Sequence, residues 1–239
     1  MYKLIKHEIT EEHFNHPMIL PNNVKPALAV LGDMPSYPVF HQLPDPVINE
    51  NTLMFRMDAR TALTKFALGM INFAVATEGN LNSASDVETR LYKAGAELGS
   101  FLVPYYGMTA GDTAGKLFSA LARIGTDCVV AVRDGKSLDT IGVAWASCIE
   151  DIATHLNALN PAYWPKELLI DQLTNLCKFW KDNIIARFAK DTAGNTISLD
   201  NILKVAVTGV PDHVLASYSS IADTISQGII AQFSRLFLK

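Results

Sequence analysis

Residues 157–165 have the sequence Asn157-Ala158-Leu159-Asn160-Pro161-Ala162-Tyr163-Trp164-Pro165 and separate two stretches with helical patterns. Asn160 directly precedes Pro161, and a residue in that position is biased away from helical backbone angles. Pro165 suits the first turn of a new helix, where a backbone N–H has no intrahelical partner. We therefore expect the chain to turn back at this segment, with one helix on each side of it.

Apolar residues on both sides of this turn recur with the 3.6-residue period of an amphipathic helix. Short connections between such segments favour antiparallel neighbours, and no stretch has a clear strand pattern. The sequence predicts an all-α fold, an up-and-down bundle of about six helices within residues 56–239. The expected helices are roughly 57–77, 86–103, 113–133, 138–159, 165–190 and 211–236. In the first helix the predicted buried stripe is Leu63, Phe66, Ala67, Met70, Phe73 and Ala74.

Local signals predict where the second helix begins and ends and where the third begins. Ser85 and Glu88 have the Ser-x-x-Glu spacing of a capping box, in which each side chain satisfies a free backbone N–H. Pro104 and Gly107 are expected to end the second helix. The third helix is expected to follow Asp112-Thr113.

Residues 1–55 differ from the rest of the chain and are predicted to form an extended N-terminal arm. The arm holds seven of the eleven prolines, a density that prevents both helices and central strands. It also carries regularly spaced apolar residues, in which disordered linkers are poor. We therefore expect the arm to lie along a protein surface, held by apolar anchors. The predicted anchors are Met18, Ile19, Leu20, Leu28, Val30, Tyr37 and Phe40.

The composition limits the classes of function. Charged residues make up 18% of the chain, below the ~25% of ordinary domains, and the formal net charge is −4. Without clusters of lysine and arginine, nucleic acid is not an expected partner. No apolar run approaches the roughly 20 residues of a membrane span, so the low surface charge predicts contact with other protein subunits. The start of the chain lacks a secretory signal pattern, which predicts cytoplasmic synthesis.

Neither the cysteines nor the isolated histidines have the spacing of a reactive site. Cys128, Cys148 and Cys177 are widely separated and form no Cys-x-x-Cys motif, so they are predicted to be small core residues. His155 lies beside an apolar stripe, and no other histidine occurs between His41 and His213. We expect His155 to be a hydrogen-bonded residue at the edge of the core and His213 to be solvated.

Two further motifs have weak functional interpretations. His13-x-x-His16 has the spacing of metal ligands, but Glu11 and Glu12 are the only supporting ligands near it. The segment Gly111-Asp112-Thr113-Ala114-Gly115-Lys116-Leu117 is similar to a phosphate-binding loop. Its glycine spacing is one residue short and leucine replaces the required Ser or Thr, so we interpret it as a helix start. The sequence assigns no catalytic, metal-binding or cofactor-binding residue and no cofactor.

Several segments of the helical region form a recognisable set. They are Pro104-Tyr105-Tyr106-Gly107, Trp145, Asn160-Pro161-x-x-Trp164-Pro165, Ile185-Ala186-Arg187-Phe188 and Ala222-Asp223-x-x-Ser226-x-Gly228-Ile229-Ile230-x-Gln232-Phe233. Together they resemble an uncharacterised family of small all-helical proteins found in bacteria and large DNA viruses, over roughly residues 56–237. The resemblance implies an all-helical fold and no established activity. Family members carry histidines in several helices, whereas this chain has Arg60, Thr174 and Leu176 there, so no shared metal site is implied.

These observations predict a non-enzymatic structural or interaction protein, a helical bundle strapped by its arm into a larger assembly. With the viral members of the family in view, the most concrete form of this prediction is a minor capsid component of a large DNA virus, located in the virion. The alternative is a helical bundle that binds a small molecule or a metal, because bundle cores commonly contain such sites. An enzyme of unrecognised mechanism stays open.

Overall fold

A computed structural model gives the fold of residues 49–188 and 212–237, with side chains described for 49–188 and 220–237. These residues are mostly helical and include no strand, which confirms the predicted all-α fold class. The N-terminal arm and the segment after the sixth helix lie outside the described residues. The helices are α1 (Glu50–Glu78), α2 (Ala84–Ser100), α3 (Val103–Tyr106), α4 (Met108–Arg133), α5 (Asp139–Leu159), α6 (Lys166–Phe188), α7 (Asp212–Gln232) and α8 (Ser234–Phe237).

The sequence analysis predicted that the first helix begins near residue 57. In the structure α1 begins at Glu50. Asn49 forms a capping box with Thr52. The Asn49 Oδ1 accepts a hydrogen bond from Thr52 N at 2.9 Å, and Thr52 Oγ1 accepts one from Asn49 N at 3.0 Å. Residues 50–55, which were assigned to the arm, therefore belong to α1. The predicted start was wrong because Asn-x-x-Thr satisfies the same backbone groups as the more familiar Ser-x-x-Glu.

The start of α2 also differs from the prediction. Helix α2 begins at Ala84, after Ser83, and no side chain caps it. Glu88 does not reach back to Ser85. Its carboxylate instead accepts a hydrogen bond from the Tyr92 hydroxyl, one turn further along the helix. The predicted capping box is therefore wrong, because the contact between residues four positions apart engages the carboxylate.

The chain turns twice between α2 and α4, where one break was predicted. Helix α2 ends at Ser100, and the short helix α3 has Pro104 as its second residue, where a backbone N–H is not needed. Gly107 then has a φ of 84°, a left-handed conformation that glycine adopts without strain. This turn lets α4 begin at Met108 rather than after Thr113.

The 157–165 turn is where the sequence predicted it. Helix α5 ends at Leu159 and α6 begins at Lys166, as expected from Asn160-Pro161 and Pro165. Backbone hydrogen bonds from Tyr163 N and Trp164 N to Asn160 O close the turn, at 3.2 and 2.9 Å. The turn is therefore a compact, hydrogen-bonded unit between two long helices.

The predicted stripe of α1 forms one side of the core, and all six of its residues are at most 6% exposed. Trp180 of α6 packs against this stripe. Its ring meets Phe66 edge-on at 5.4 Å between centroids, and its Nε1 donates a hydrogen bond to Ala67 O at 3.3 Å. Consecutive long helices pack against one another, and α1 also contacts α4, α6 and α7.

Helices α2 and α4 approach so closely that their backbones touch. A Cβ atom at Gly99 would lie 2.7 Å from Gly115 Cα, and one at Gly95 would lie 2.9 Å from Ser119 N. Both helices place glycine at four-residue spacing, with Gly111 preceding Gly115 as Gly95 precedes Gly99. The two glycine faces meet because no side chain separates the backbones. The close contact thus requires these glycines.

Candidate interaction surfaces

Helix α1 carries a second apolar face, opposite its buried stripe. Its exposed large apolar residues have between 40% and 58% of their surface accessible to solvent. They are Met54, Met57, Leu68 and Val75. Ile71 is half-buried, and the threonines between these residues are exposed. We call this surface the outer face of α1. It consists of Met54, Met57, Thr61, Thr64, Leu68, Ile71 and Val75.

A helix that is apolar on both sides is normally covered on both sides. The outer face of α1 carries no charged side chain, and α2, α4, α6 and α7 do not cover it. The sequence analysis missed this face because an apolar residue outside the buried stripe has no distinguishing local signal. A regular spacing of these residues along α1 was the one sequence feature that could have revealed it.

The apolar surface continues at the end of the bundle where α1 begins. Leu53 of α1 and Leu236 of α8 are 53% and 59% exposed. The two helices are held together there because Asn49 Nδ2 donates a hydrogen bond to Phe237 O at 2.5 Å, and the rings of Phe55 and Phe237 lie 5.3 Å apart. The first residue of the described chain is thus tied to the C-terminal helix.

A layer of aromatic rings supports this end of the bundle. Tyr105 of α3 lies between Phe55, Phe233 and Phe237, with centroid distances of 5.6, 5.4 and 6.0 Å. Phe101 adds a further ring at 6.1 Å from Phe55. Burial raises the pKa of Tyr105 above its ordinary value. The layer offers rigid apolar contact rather than reactive groups.

Asn160 joins the 157–165 turn to α7 and α3. Its side chain is 2% exposed, and Nδ2 donates hydrogen bonds to Gly228 O and to the Tyr106 hydroxyl oxygen, both at 3.1 Å. The Tyr106 hydroxyl in turn donates to Gln232 Oε1 at 2.6 Å. Burial raises the pKa of Tyr106 to about 12, although the hydrogen bond from Asn160 opposes the shift. These paired groups fix the turn in position.

Trp164 and Gln172 extend the same contact along α7. The Trp164 ring is 0% exposed, and its Nε1 donates a hydrogen bond to Thr224 O at 3.0 Å. Gln172 Nε2 donates to the hydroxyls of Ser220 and Thr224. Helix α7 is therefore held by side-chain hydrogen bonds from both the turn and α6.

Arg60 forms an ion pair with Asp223 at the surface of the bundle. Its Nε and NH2 donate hydrogen bonds to the two carboxylate oxygens of Asp223, each at 2.7 Å. This bidentate hydrogen bonding raises the pKa of Arg60. Arg60 thus joins α1 to α7 at the surface.

The three cysteines are buried and unpaired by disulfides, which confirms that they are core residues. Burial raises the pKa of Cys128 and of Cys148 to about 11. Burial and the other two thiols raise the pKa of Cys177 further. Since the thiolate is the reactive form, these groups are poor nucleophiles at neutral pH.

His155 is a hydrogen-bonded residue at the edge of the core, as predicted. Its ring is half-buried, and Nε2 lies 3.0 Å from Ala110 O.

The residues 111–117 form the second and third turns of α4 rather than its start, with Gly111 and Gly115 buried against α2. The interpretation of residues 111–117 as a helix start was therefore wrong, because these glycines allow close packing within a helix.

A shallow groove of about 420 Å³ runs between α2 and α4 beside the glycine contact. It is lined by small residues together with Ser100, Asp112, Lys116, Ser119 and Arg123. The Arg123 guanidinium lies 4.3 Å from the centroid of the Tyr92 ring. This groove is where the described residues combine open volume with positive charge.

Several predictions fall outside the described part of the chain. These are the arm anchors Met18, Ile19, Leu20, Leu28, Val30, Tyr37 and Phe40, the His13-x-x-His16 motif and the side chain of His213. Within the described ranges, no three histidine, cysteine or carboxylate side chains are grouped so that they could hold a metal ion. No helix in these ranges is long and apolar enough to span a membrane.

Comparisons of the chain with known protein families, with characterised proteins and with solved structures give no match. The resemblance to an all-helical family of bacteria and large DNA viruses therefore stays a prediction.

Proposed function

We propose that this protein is a non-enzymatic structural and interaction protein, a helical bundle that its N-terminal arm joins to a larger assembly of protein subunits. One observation carries the proposal: large apolar side chains fill the described core and are also left over on the surface. A core without a ligand-sized space and a surface with uncovered apolar residues are typical of a protein that works by contact with others.

The described core has little room for a ligand. Trp164, Trp180 and Phe66 are each 0% exposed. A cavity near Leu63 and Phe118 has a volume of about 30 Å³ and is lined by apolar side chains. Sites for small molecules usually measure about 300–1,000 Å³ and include a few convergent polar groups. The interior therefore supports a packing role better than a binding role.

The surface contributes the second part of the argument. The outer face of α1 is exposed along the helix, and Leu53 and Leu236 are exposed as well. The arm adds its own apolar anchors, spaced along an extended, proline-rich sequence. The low content of charged residues, 18%, fits a chain much of whose surface is covered by other subunits.

The most concrete form of this proposal is a minor capsid component of a large DNA virus. The sequence resemblance to a family with viral members supports it, together with the anchored arm. Arms of this kind bind neighbouring subunits by inserting apolar side chains into grooves along an extended path. Partners are accordingly protein subunits.

Polar substitution of the arm anchors in the full-length chain tests the proposal. We expect a variant with four anchors replaced to sediment as free protein, whereas the wild type sediments with high-mass material in extracts of the cells or particles that contain it. Circular dichroism should show the same helix content for both proteins. The substitutions are M18S, L20S, Y37S and F40S.

A matched control replaces polar residues of the arm and should sediment like the wild type. If the anchor variant also remains with the high-mass material, the arm does not join the protein to its assembly and the proposal fails. The control substitutions are N15S, N22S, N23S and Q42S.

The groove between α2 and α4 favours a second candidate function, the binding of a small anionic molecule. Its volume of about 420 Å³ lies within the range of ligand sites, and the positive charges of Lys116 and Arg123 outnumber the one carboxylate of the lining, Asp112. Elemental analysis and an absorption spectrum of the purified protein would reveal a bound metal or chromophore. Titration with citrate should raise the melting temperature of the wild type and not that of Lys116→Ala, with Lys93→Ala as the control. No bound group and no citrate effect would count against this function.

A further inference from the structure

The outer face of α1 has the spacing of a coiled-coil seam. From Met54 to Val75 its residues follow one another at alternating steps of three and four, which are the a and d positions of consecutive heptads. At a rise of about 1.5 Å per residue the face extends for ~32 Å. Heptad spacing matches the side chains of a facing helix, whereas an extended chain repeats every two residues. The partner of this face is therefore expected to be helical.

We propose that the outer face of α1 binds the outer face of α1 in a second copy of the protein, with the two helices antiparallel. The inference is independent of the arm-mediated assembly proposed above. It concerns a different surface and a partner of known sequence.

The face is complementary to itself in one antiparallel register. When Thr61 faces Thr64 of the second copy, Met57 faces Leu68 of the second copy. The same register places Met54 opposite Ile71 of the second copy. A twofold axis repeats each of these pairs, so the layers are apolar at both ends and contain threonine at the centre. Such isologous contacts, with the same patch on both subunits, are the commonest basis of protein dimers.

The flanking charges favour the same arrangement. Asp58 and Lys65 occupy the e positions beside the seam, and both side chains are exposed. The antiparallel register places Asp58 next to Lys65 of the second copy, and the twofold axis creates this pair twice. A parallel arrangement would instead bring Lys65 close to Arg60 of the second copy, whose charge is already paired with Asp223, so Lys65 would gain no carboxylate partner comparable to Asp58. Charge complementarity therefore selects the antiparallel pairing.

The threonines at the centre define the register at some cost in affinity. A polar layer within an apolar seam aligns the two helices because any shift would place its hydroxyls against apolar side chains. The paired layers between Met54 and Ile71 contain no charged side chain, so pairing them buries no charge. We expect a specific dimer that dissociates on dilution.

Analytical ultracentrifugation of the full-length protein tests the inference. The wild type should show a reversible monomer–dimer equilibrium as the concentration rises. Leu68→Glu should raise the dissociation constant by about a hundredfold. The twofold axis places the substitution in two layers of the seam, and each layer should weaken binding ~tenfold. Val143→Glu is the matched control, since Val143 is 72% exposed on α5 and lies outside the seam. It should dimerise like the wild type.

Charge reversal tests the antiparallel register. Asp58→Lys and Lys65→Asp should each weaken the dimer, and the double variant D58K/K65D should restore it.

A wild type that stays monomeric at every concentration overturns the inference and leaves another protein or residues 1–48 to cover the face. A dimer that Leu68→Glu and Val143→Glu affect equally also overturns it. Failure of the double variant to restore the dimer would exclude this register. The arm-anchor variant should dimerise normally, so each proposal can fail without the other.

Discussion

The α2–α4 contact and the contact between the 157–165 turn and α7 both depend on glycine, but for opposite reasons. In the first, Gly95 and Gly99 bring one backbone against another, with no side chain between them. In the second, Gly228 makes room for the Trp164 ring, the largest side chain of the turn. The first contact brings two backbones together, whereas the second leaves space that a large side chain occupies. The comparison shows that a glycine within a helix can mark a tight contact as well as a weak point.

The largest expected effect comes from adding a methyl group at the α2–α4 contact. Gly99→Ala places Cβ 2.7 Å from Gly115 Cα, and backbone atoms cannot move aside without separating the helices. We expect a loss of about 3 kcal/mol or more in the free energy of unfolding, despite the better helix propensity of alanine. Urea denaturation followed by circular dichroism at one protein concentration measures it. A loss below about 1 kcal/mol would show that the helices separate easily.

The turn contact should be somewhat more tolerant. In Gly228→Ala the new Cβ would clash with Trp164 Nε1 and lie 2.8 Å from Trp164 Cδ1, both of which belong to a side chain rather than to a backbone. The ring is buried and donates a hydrogen bond to Thr224 O, so it can move only slightly. We expect a loss of about 2 kcal/mol, smaller than that of Gly99→Ala. A shift in tryptophan fluorescence should accompany it. The reverse order of the two losses would contradict the distinction between backbone and side-chain contacts.

Alkaline pH should weaken the turn contact through Tyr106. Burial raises the pKa of Tyr106 to about 12, above its ordinary value of about 10 in an unfolded chain. The unfolded state therefore loses its proton first. The stabilisation is complete below about pH 10 and is lost as the pH rises through the folded value of about 12.

Tyr106→Phe isolates this contribution. At pH 8 the variant should lose about 1 kcal/mol, because the hydrogen bonds with Asn160 and Gln232 are removed. The buried thiols have raised pKa values in both proteins, so their effect cancels in the difference. The difference in unfolding free energy between wild type and variant should shrink between pH 8 and pH 11. If this difference does not change with pH, Tyr106 has the same pKa in the folded and the unfolded state.

Helix positions could be predicted wherever the periodicity and the prolines agree. The buried stripe of α1 and both ends of the 157–165 turn follow from apolar spacing and from Pro161 and Pro165. The starts of α1, α2 and α4 could not be placed in the same way. Several side chains can satisfy a helix start equally well, and only the folded contacts decide which of them does so.

The interaction surfaces were harder to predict than the helices. Glycines at positions 111 and 115 favour a helix boundary by propensity, and their role appears only when α2 lies against them. Apolar residues such as Leu68 look the same in a sequence whether they are buried or exposed. Burial depends on which helices surround α1, and spacing along one helix does not determine it. The sequence therefore predicted the bundle and missed the outer face of α1.

The smallest predicted effect has the opposite sign and provides the control for both glycine contacts. Gly142 lies in α5, and no atom would come within 4 Å of a Cβ at this position. Gly142→Ala should therefore raise the free energy of unfolding by about 0.5–1 kcal/mol, because alanine restricts the unfolded chain more than glycine does. Urea denaturation beside Gly99→Ala and Gly228→Ala makes the comparison direct. If Gly142→Ala also destabilises the protein, the losses at Gly99 and Gly228 cannot be attributed to close packing.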